Sequence, residues 1–414
     1  GISNSVAALK WVMEHLNDEW QQQASSGISL FGQRSEYRQH ISGAVLQSIE
    51  QRPWRAVLRI WPHLSVWRAF PPPADPELAR GVRYLGLADS PFGSGQAETD
   101  NLLLRCRVAP SWFGDLHEPQ QTLLVGEIDS GKTATALLLA YDSLRKRDAF
   151  PVYYPITPDD LQLDDLASVL THTLIHYLAV TPSDFLKQKV AGRAAIAHLL
   201  ARYVPTNLSL HLHQAGLPST GDGAKMIKEI ENLTRSSSFD DPLPDGELLV
   251  LLSEARPRGF QYTVVLLDVQ EQAGKDESVL PSQYLESLLN LNDALARIGV
   301  FIKAFLPDTF QEHLRQQNDR PFVTLDWSKN DLSSLLESRL KQFGDDTLAA
   351  WCDPREGDLS PDSRLVRAAQ GTPSGLICMG NELLRHIGQK QRLLTARDLN
   401  DILGPLPQLD ETES

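Results

Sequence analysis

The chain has 414 residues, more than one ordinary core organises, so two or three domains are expected. Its 42% hydrophobic and 22% charged residues suit a globular protein, while 39 basic against 53 acidic residues, a formal net charge of −14, argue against a broad nucleic-acid-binding face because phosphates are repelled at long range. No run approaches the roughly 18 continuous apolar residues of a membrane span, and Cys106, Cys352 and Cys378 are too sparse for a disulfide framework or paired metal ligands, so a reducing, cytoplasmic setting away from membranes is the expectation.

In chain order, residues 1–73 read as a helical region: Val6, Leu9, Trp11, Val12, Met13, Leu16 and Trp20 recur at helical spacing, as do Ile41, Val45, Leu46 and Ile49. Trp54 and Trp61 lie on a third segment, and with Trp67 they make this region the richest in tryptophan. Apolar residues at helical period usually face a core; exposed, the same aromatics would dock a protein partner or a flanking domain. No basic segment followed by an apolar one opens the chain, so no signal peptide is expected, and Gly1 in place of Met suits a piece of a longer protein.

Pro71-Pro72-Pro73 marks a boundary, and a core is expected over 74–328. Ser90-Pro91-Phe92-Gly93 falls in a loop, and Leu102 to Val108 is expected to form a short helix or strand. Leu123-Leu124-Val125 reads as a strand, Ala134 to Lys146 as a helix, Phe150 to Ile156 as a strand bounded by prolines, and Asp160 to Leu178 as a helix. A mostly helical insertion follows at about 183–260, and then Tyr262 to Asp268, Val300 to Leu306 and Phe322 to Leu325 supply three more strands. From 329 to 405 the pattern is helical without strands, and 406–414 is a tail. Alternating strands and helices predict an α/β fold with a parallel sheet and a helical C-terminal lid.

The chemistry concentrates at Gly126-Glu127-Ile128-Asp129-Ser130-Gly131-Lys132-Thr133, which fits G-x-x-x-x-G-K-[ST] between a strand and a helix, the context this pattern needs. Gly126 and Gly131 let the backbone curl, the amides near Ser130 and Ala134 and the following helix N-terminus favour phosphate, Lys132 would bridge the terminal phosphates, and the Thr133 hydroxyl would ligate Mg²⁺. The buried strand ending at Asp268 supplies the carboxylate that such a metal requires beside the loop. Two other patterns carry less. His172 and His176 stand one helical turn apart without a third ligand, and His211 and His213 would sit on opposite faces of an extended segment.

These two segments resemble the Walker A and Walker B motifs of P-loop nucleoside triphosphatases. The following helices narrow the resemblance to AAA+ proteins of the origin-recognition type and to STAND signalling ATPases: Gln370-Gly371-Thr372-Pro373 looks like the Gly-x-Pro element of their lid, and Leu394 to Leu399 is similar to the helix start that closes it, with Thr395 as its cap. Ser90-Pro91-Phe92-Gly93 with Ala97-Glu98 resembles the segment that in relatives lies near the adenine, so Phe92 and Pro373 join the cofactor-binding candidates. The chain departs from AAA+ enzymes where Val269, not Glu, follows Asp268; Glu271, beside Gln272, is the nearest candidate for polarising the attacking water. Asp129 stands where many relatives carry Gly, and its carboxylate would repel phosphates unless it turns outward. Lys303 occupies roughly the place of a residue sensing the γ-phosphate, or else snorkels to solvent.

The resemblance implies a switch: ATP and Mg²⁺ bind between core and lid, hydrolysis is slow, and lid movement alters flanking domains or a nucleotide-dependent oligomer, in signalling or in defence against phage. A ring motor is the alternative, drawing on Arg315 or Arg320 to reach a neighbour's phosphate, and a scaffold that holds nucleotide without hydrolysis is a third.

Overall fold

The computed structural model describes residues 75–94, 97, 100, 102–156, 162–204, 208–215, 217–235, 243–269, 280–316, 322–357 and 359–405. The tryptophan-bearing N-terminal segments and the tail lie outside these residues. The helices and strands follow in the order α1 (Pro76–Tyr84), β1 (Thr122–Gly126), α2 (Lys132–Lys146), β2 (Ala149–Ile156), α3 (Leu163–Val180), α4 (Pro182–Leu186), α5 (Val190–Tyr203), α6 (Leu208–Gln214), α7 (Asp222–Thr234) and α8 (Asp245–Glu254). They continue as β3 (Tyr262–Val269), α9 (Leu280–Ala296), β4 (Val300–Pro307), α10 (Gln311–Gln316), β5 (Phe322–Thr324), α11 (Lys329–Lys341), α12 (Pro361–Ala368), α13 (Pro373–Lys390) and α14 (Ala396–Leu403).

The five strands form one all-parallel sheet in the order β2-β3-β4-β1-β5. Parallel neighbours need a crossover between them, which is why the strands alternate with helices, and helices on both faces demand strands that are apolar on both sides. From Thr263 to Val269 every residue of β3 is buried. Pro151 and Pro155 lie within β2 rather than at its ends. A proline has no N–H to donate, and β2 tolerates two because it is an edge strand, paired with β3 alone among the described residues.

Leu102 to Val108 forms neither helix nor strand. The Asp100 carboxylate accepts from the Leu102 N–H at 3.0 Å, and the Arg105 and Cys106 amides return to the Leu102 carbonyl at 2.9 and 2.8 Å, so local bonds close a turn there. Beyond β5, α11 to α14 make a helical lobe whose core includes Leu336, Trp351, Leu365, Leu376, Leu384 and Leu399. Thr372 caps α13 by accepting from the Gly375 N–H at 3.0 Å, and Thr395 caps α14 in a reciprocal box with Asp398.

The described residues divide into two compact units: one takes the chain up to Val169 and again from Pro244, the other takes Leu170–Leu243. The second unit falls in sequence between β2 and β3. Within it α4 and α5 pack on α7, burying Phe185, Ile196, Met226 and Ile230, and an ion pair joins Arg193 to Glu229 at 3.2 Å.

Candidate functional site

The site begins where β1 ends. After Gly126 the backbone reverses through Ser130, whose N–H donates to the Glu127 carbonyl at 3.2 Å. It is left-handed at Asp129 (φ 66°) and Gly131 (φ 89°). Left-handed residues in a short turn gather amide groups on one side, and Gly131 takes such a conformation without steric cost. Asp129 bears the cost a side chain brings there, and it is exposed. At Gly126 the requirement is space: a Cβ would lie 2.4 Å from the Ser130 Oγ and 3.0 Å from the Leu325 Cβ. Helix α2 starts at Lys132, with Gly131 at its N-cap and no side chain among the described residues capping it. Its first amides and the positive end of its dipole are therefore left for an anion.

Lys132 and Thr133 open this helix. The Lys132 ammonium folds back over the loop, donating to the Gly126 and Glu127 carbonyls at 2.6 and 2.8 Å. The Thr133 hydroxyl donates to Asp268 Oδ2 at 2.8 Å, and the Tyr153 hydroxyl from β2 donates to the same oxygen at 2.8 Å. Strands β1 and β3 are separated by β4, so loop and carboxylate meet across one strand at the C-terminal edge of the sheet. That edge is where open α/β sheets bind their ligands. Asp268 is only 3% exposed. Burial pushes its carboxyl above the ordinary carboxylate range, against the lowering pull of the Tyr153 and Thr133 hydroxyls and the Lys132 charge.

The helical lobe reaches the same loop. The Trp327 indole, in the link between β5 and α11, donates to the Ser130 carbonyl at 2.9 Å, and Trp112 donates to the Asp326 carbonyl at 3.1 Å. The two indoles meet edge to face at 6.3 Å. Pro373, at the start of α13, stands 3.6 Å from where a Cβ on Gly131 would be. The Ser130 Oγ is buried inside the loop without a hydrogen-bond partner among the described residues.

Gly126, Ser130, Gly131, Lys132, Thr133, Ala134, Asp268 and Pro373 thus gather around one loop, and two expectations are corrected. Phe92 is 0% exposed and belongs to the core of the helical lobe, edge-on to Trp351 at 6.0 Å and seated where Gly380 lacks a side chain. Its carbonyl accepts from Arg339 at 2.7 Å, so the ring is a packing anchor with no surface to offer a ligand. Lys303 is likewise 0% exposed, and register pairs it with Thr122 at the first residue of β1, the opposite end from the loop. Its ammonium neither senses phosphate nor reaches solvent: it donates to the Glu118 and Gln120 carbonyls and the Thr122 hydroxyl at 2.8, 2.7 and 2.9 Å. Burial pulls its pKa down to about 8.

Glu271, Gln272 and Arg320 lie outside the described residues. Arg315 is exposed on α10. No cluster of three metal-ligating side chains occurs among the described residues, including around His172 and His176. Residues 208–214 are helical rather than extended, and His213 Nδ1 lies 3.0 Å from the Leu217 carbonyl. Sequence reasoning missed Tyr153, Trp112 and Trp327; for Trp327 the available signal was an aromatic directly after the last strand, and for Tyr153 none exists without the register of β2 on β3. Compared with family models, with curated proteins and with solved structures, the chain matches none.

Proposed function

We propose that this chain binds ATP with Mg²⁺ at the C-terminal edge of its sheet and acts as a slowly hydrolysing nucleotide switch. The observation that carries the reading is the 2.8 Å hydrogen bond from Thr133 to Asp268, which joins the hydroxyl after the loop lysine to a buried carboxylate two strands away. Three features fit a triphosphate: a helix N-terminus with no side-chain cap and a buried Ser130 hydroxyl lacking a partner, both among the described residues, and an ammonium group held at the loop's rim by its carbonyls. Thr133 and Asp268 are the residues that would hold Mg²⁺, whose remaining ligands are ordinarily phosphate oxygens and water. Bound there, Mg²⁺ would neutralise phosphate charge and favour the ionised form of Asp268.

Lys132 exchanges two carbonyl acceptors for phosphate oxygens in this reading, and the loop shape depends on the same carbonyls. Trp327 and Pro373 supply the mechanical link: both belong to the lobe side of the chain and both lie against Ser130–Gly131, so a change in the loop is felt where α11 and α13 begin. A place in signalling or in defence against phage rests on the STAND resemblance alone.

Turnover tests the switch. Purified protein should hydrolyse ATP slowly, Lys132→Ala should abolish that activity, and adding Lys132→Ala to wild type should reduce turnover only in proportion to dilution. Fast, assembly-dependent hydrolysis that is poisoned by the variant would establish a ring motor instead.

A further inference from the structure

Tyr153 lies on β2, and its register partner on β3 is Leu266. Asp268 is two residues further along β3, on the same face as Leu266 because side chains alternate along a strand. A phenol leaning toward the C-terminal edge therefore ends at the carboxylate, and the hydroxyl donates to Asp268 Oδ2 at 2.8 Å. The ring is 5% exposed, so its position is set by packing. Thr133 donates to that same oxygen.

From this geometry, and resting on the nucleotide reading above, we propose that Tyr153 is a positioning residue that fixes the Asp268 carboxylate for the magnesium ion of the bound nucleotide. Two hydroxyls hold Oδ2, and they are not equivalent. Thr133 is itself a metal-ligand candidate, so its oxygen would offer a lone pair to the cation while its proton still donates to Oδ2, and its position would answer to both. Tyr153 is not a ligand candidate, and it stays available to orient the carboxylate in both states. Partners of this kind, bonded to a ligand rather than to the metal, set the angle and basicity of the ligand.

The test is equilibrium binding of a fluorescent non-hydrolysable ATP analogue to wild type and to Tyr153→Phe, which keeps the buried ring and removes only the hydroxyl. Binding is measured in EDTA and across a Mg²⁺ titration. In EDTA the two proteins should bind alike. With Mg²⁺ the variant should need about tenfold more cation for half-maximal enhancement, the lower end of what loss of such a partner costs. An unchanged Mg²⁺ midpoint would overturn the assignment, and so would an equal loss of affinity with and without the cation, which is the mark of a structural role. If the wild type bound no analogue, the nucleotide reading itself would fall and Tyr153 would lose its metal.

Discussion

Gly126→Ala probes the loop by sterics alone, because Gly126 does not occupy the left-handed region that Asp129 and Gly131 do. The added Cβ would sit 2.4 Å from the Ser130 Oγ, 3.0 Å from the Leu325 Cβ and 3.2 Å from its Cδ1. Leu325 has little room to withdraw, being 3% exposed with its N–H donating to the Val125 carbonyl at 2.8 Å. Overpacking of this sort costs about 1–3 kcal/mol, and the stiffer unfolded chain returns about 0.4–1 kcal/mol, leaving a loss of about 1–2 kcal/mol. At about 2–4 °C per kcal/mol for a domain of this size, thermal unfolding of the nucleotide-free protein should shift down by roughly 2–8 °C. Ser130→Gly removes the nearest clash, so the double variant should be more stable than the sum of the single effects by about 1 kcal/mol. An unchanged midpoint for Gly126→Ala together with strict additivity would refute the packing of this loop.

Two further expectations concern the scaffold. Arg339 and Asp100 form an ion pair with both side chains 2% exposed, so Arg339→Met should cost about 3–5 kcal/mol in denaturation, and pairing it with Asp100→Leu should restore much of that loss. Asp142 on α2 is 2% exposed; burial pushes its carboxyl up, but hydrogen bonds and charge from His117 and Arg107 outweigh this and hold it well below the ordinary value of 3.8. A depressed carboxylate stabilises the fold above its unfolded pKa and loses that contribution as pH falls through it, so below about pH 4 the wild type should lose stability more steeply than Asp142→Asn, as read by unfolding midpoints across pH.

The sheet was legible because buried parallel strands are apolar runs, and Leu123 to Val125, Tyr262 to Asp268 and Val300 to Leu306 read that way without any partner in view. The loop was legible for a different reason: its glycines, lysine and threonine are local in sequence and fix their own geometry. What escaped was set by tertiary neighbours. Phe92 resembles a ligand-binding position in a motif, yet an aromatic ring gains more by filling the space over Gly380. Lys303 reads as a lysine in an apolar strand, and nothing local says that three acceptors wait at the far end of β1. Tyr153 has no motif at all, and its meaning comes only from lying two residues behind Asp268 in the register of the neighbouring strand.

The central claim, that loop, ammonium and carboxylate converge on a triphosphate, is tested most directly by equilibrium binding of ATP with Mg²⁺ to wild type and to Lys132→Ala. Wild type should bind saturably at or below about 1 mM, and the variant should bind at least about tenfold more weakly. Wild type indifferent to millimolar ATP, or a variant that binds as tightly as wild type, would contradict the account.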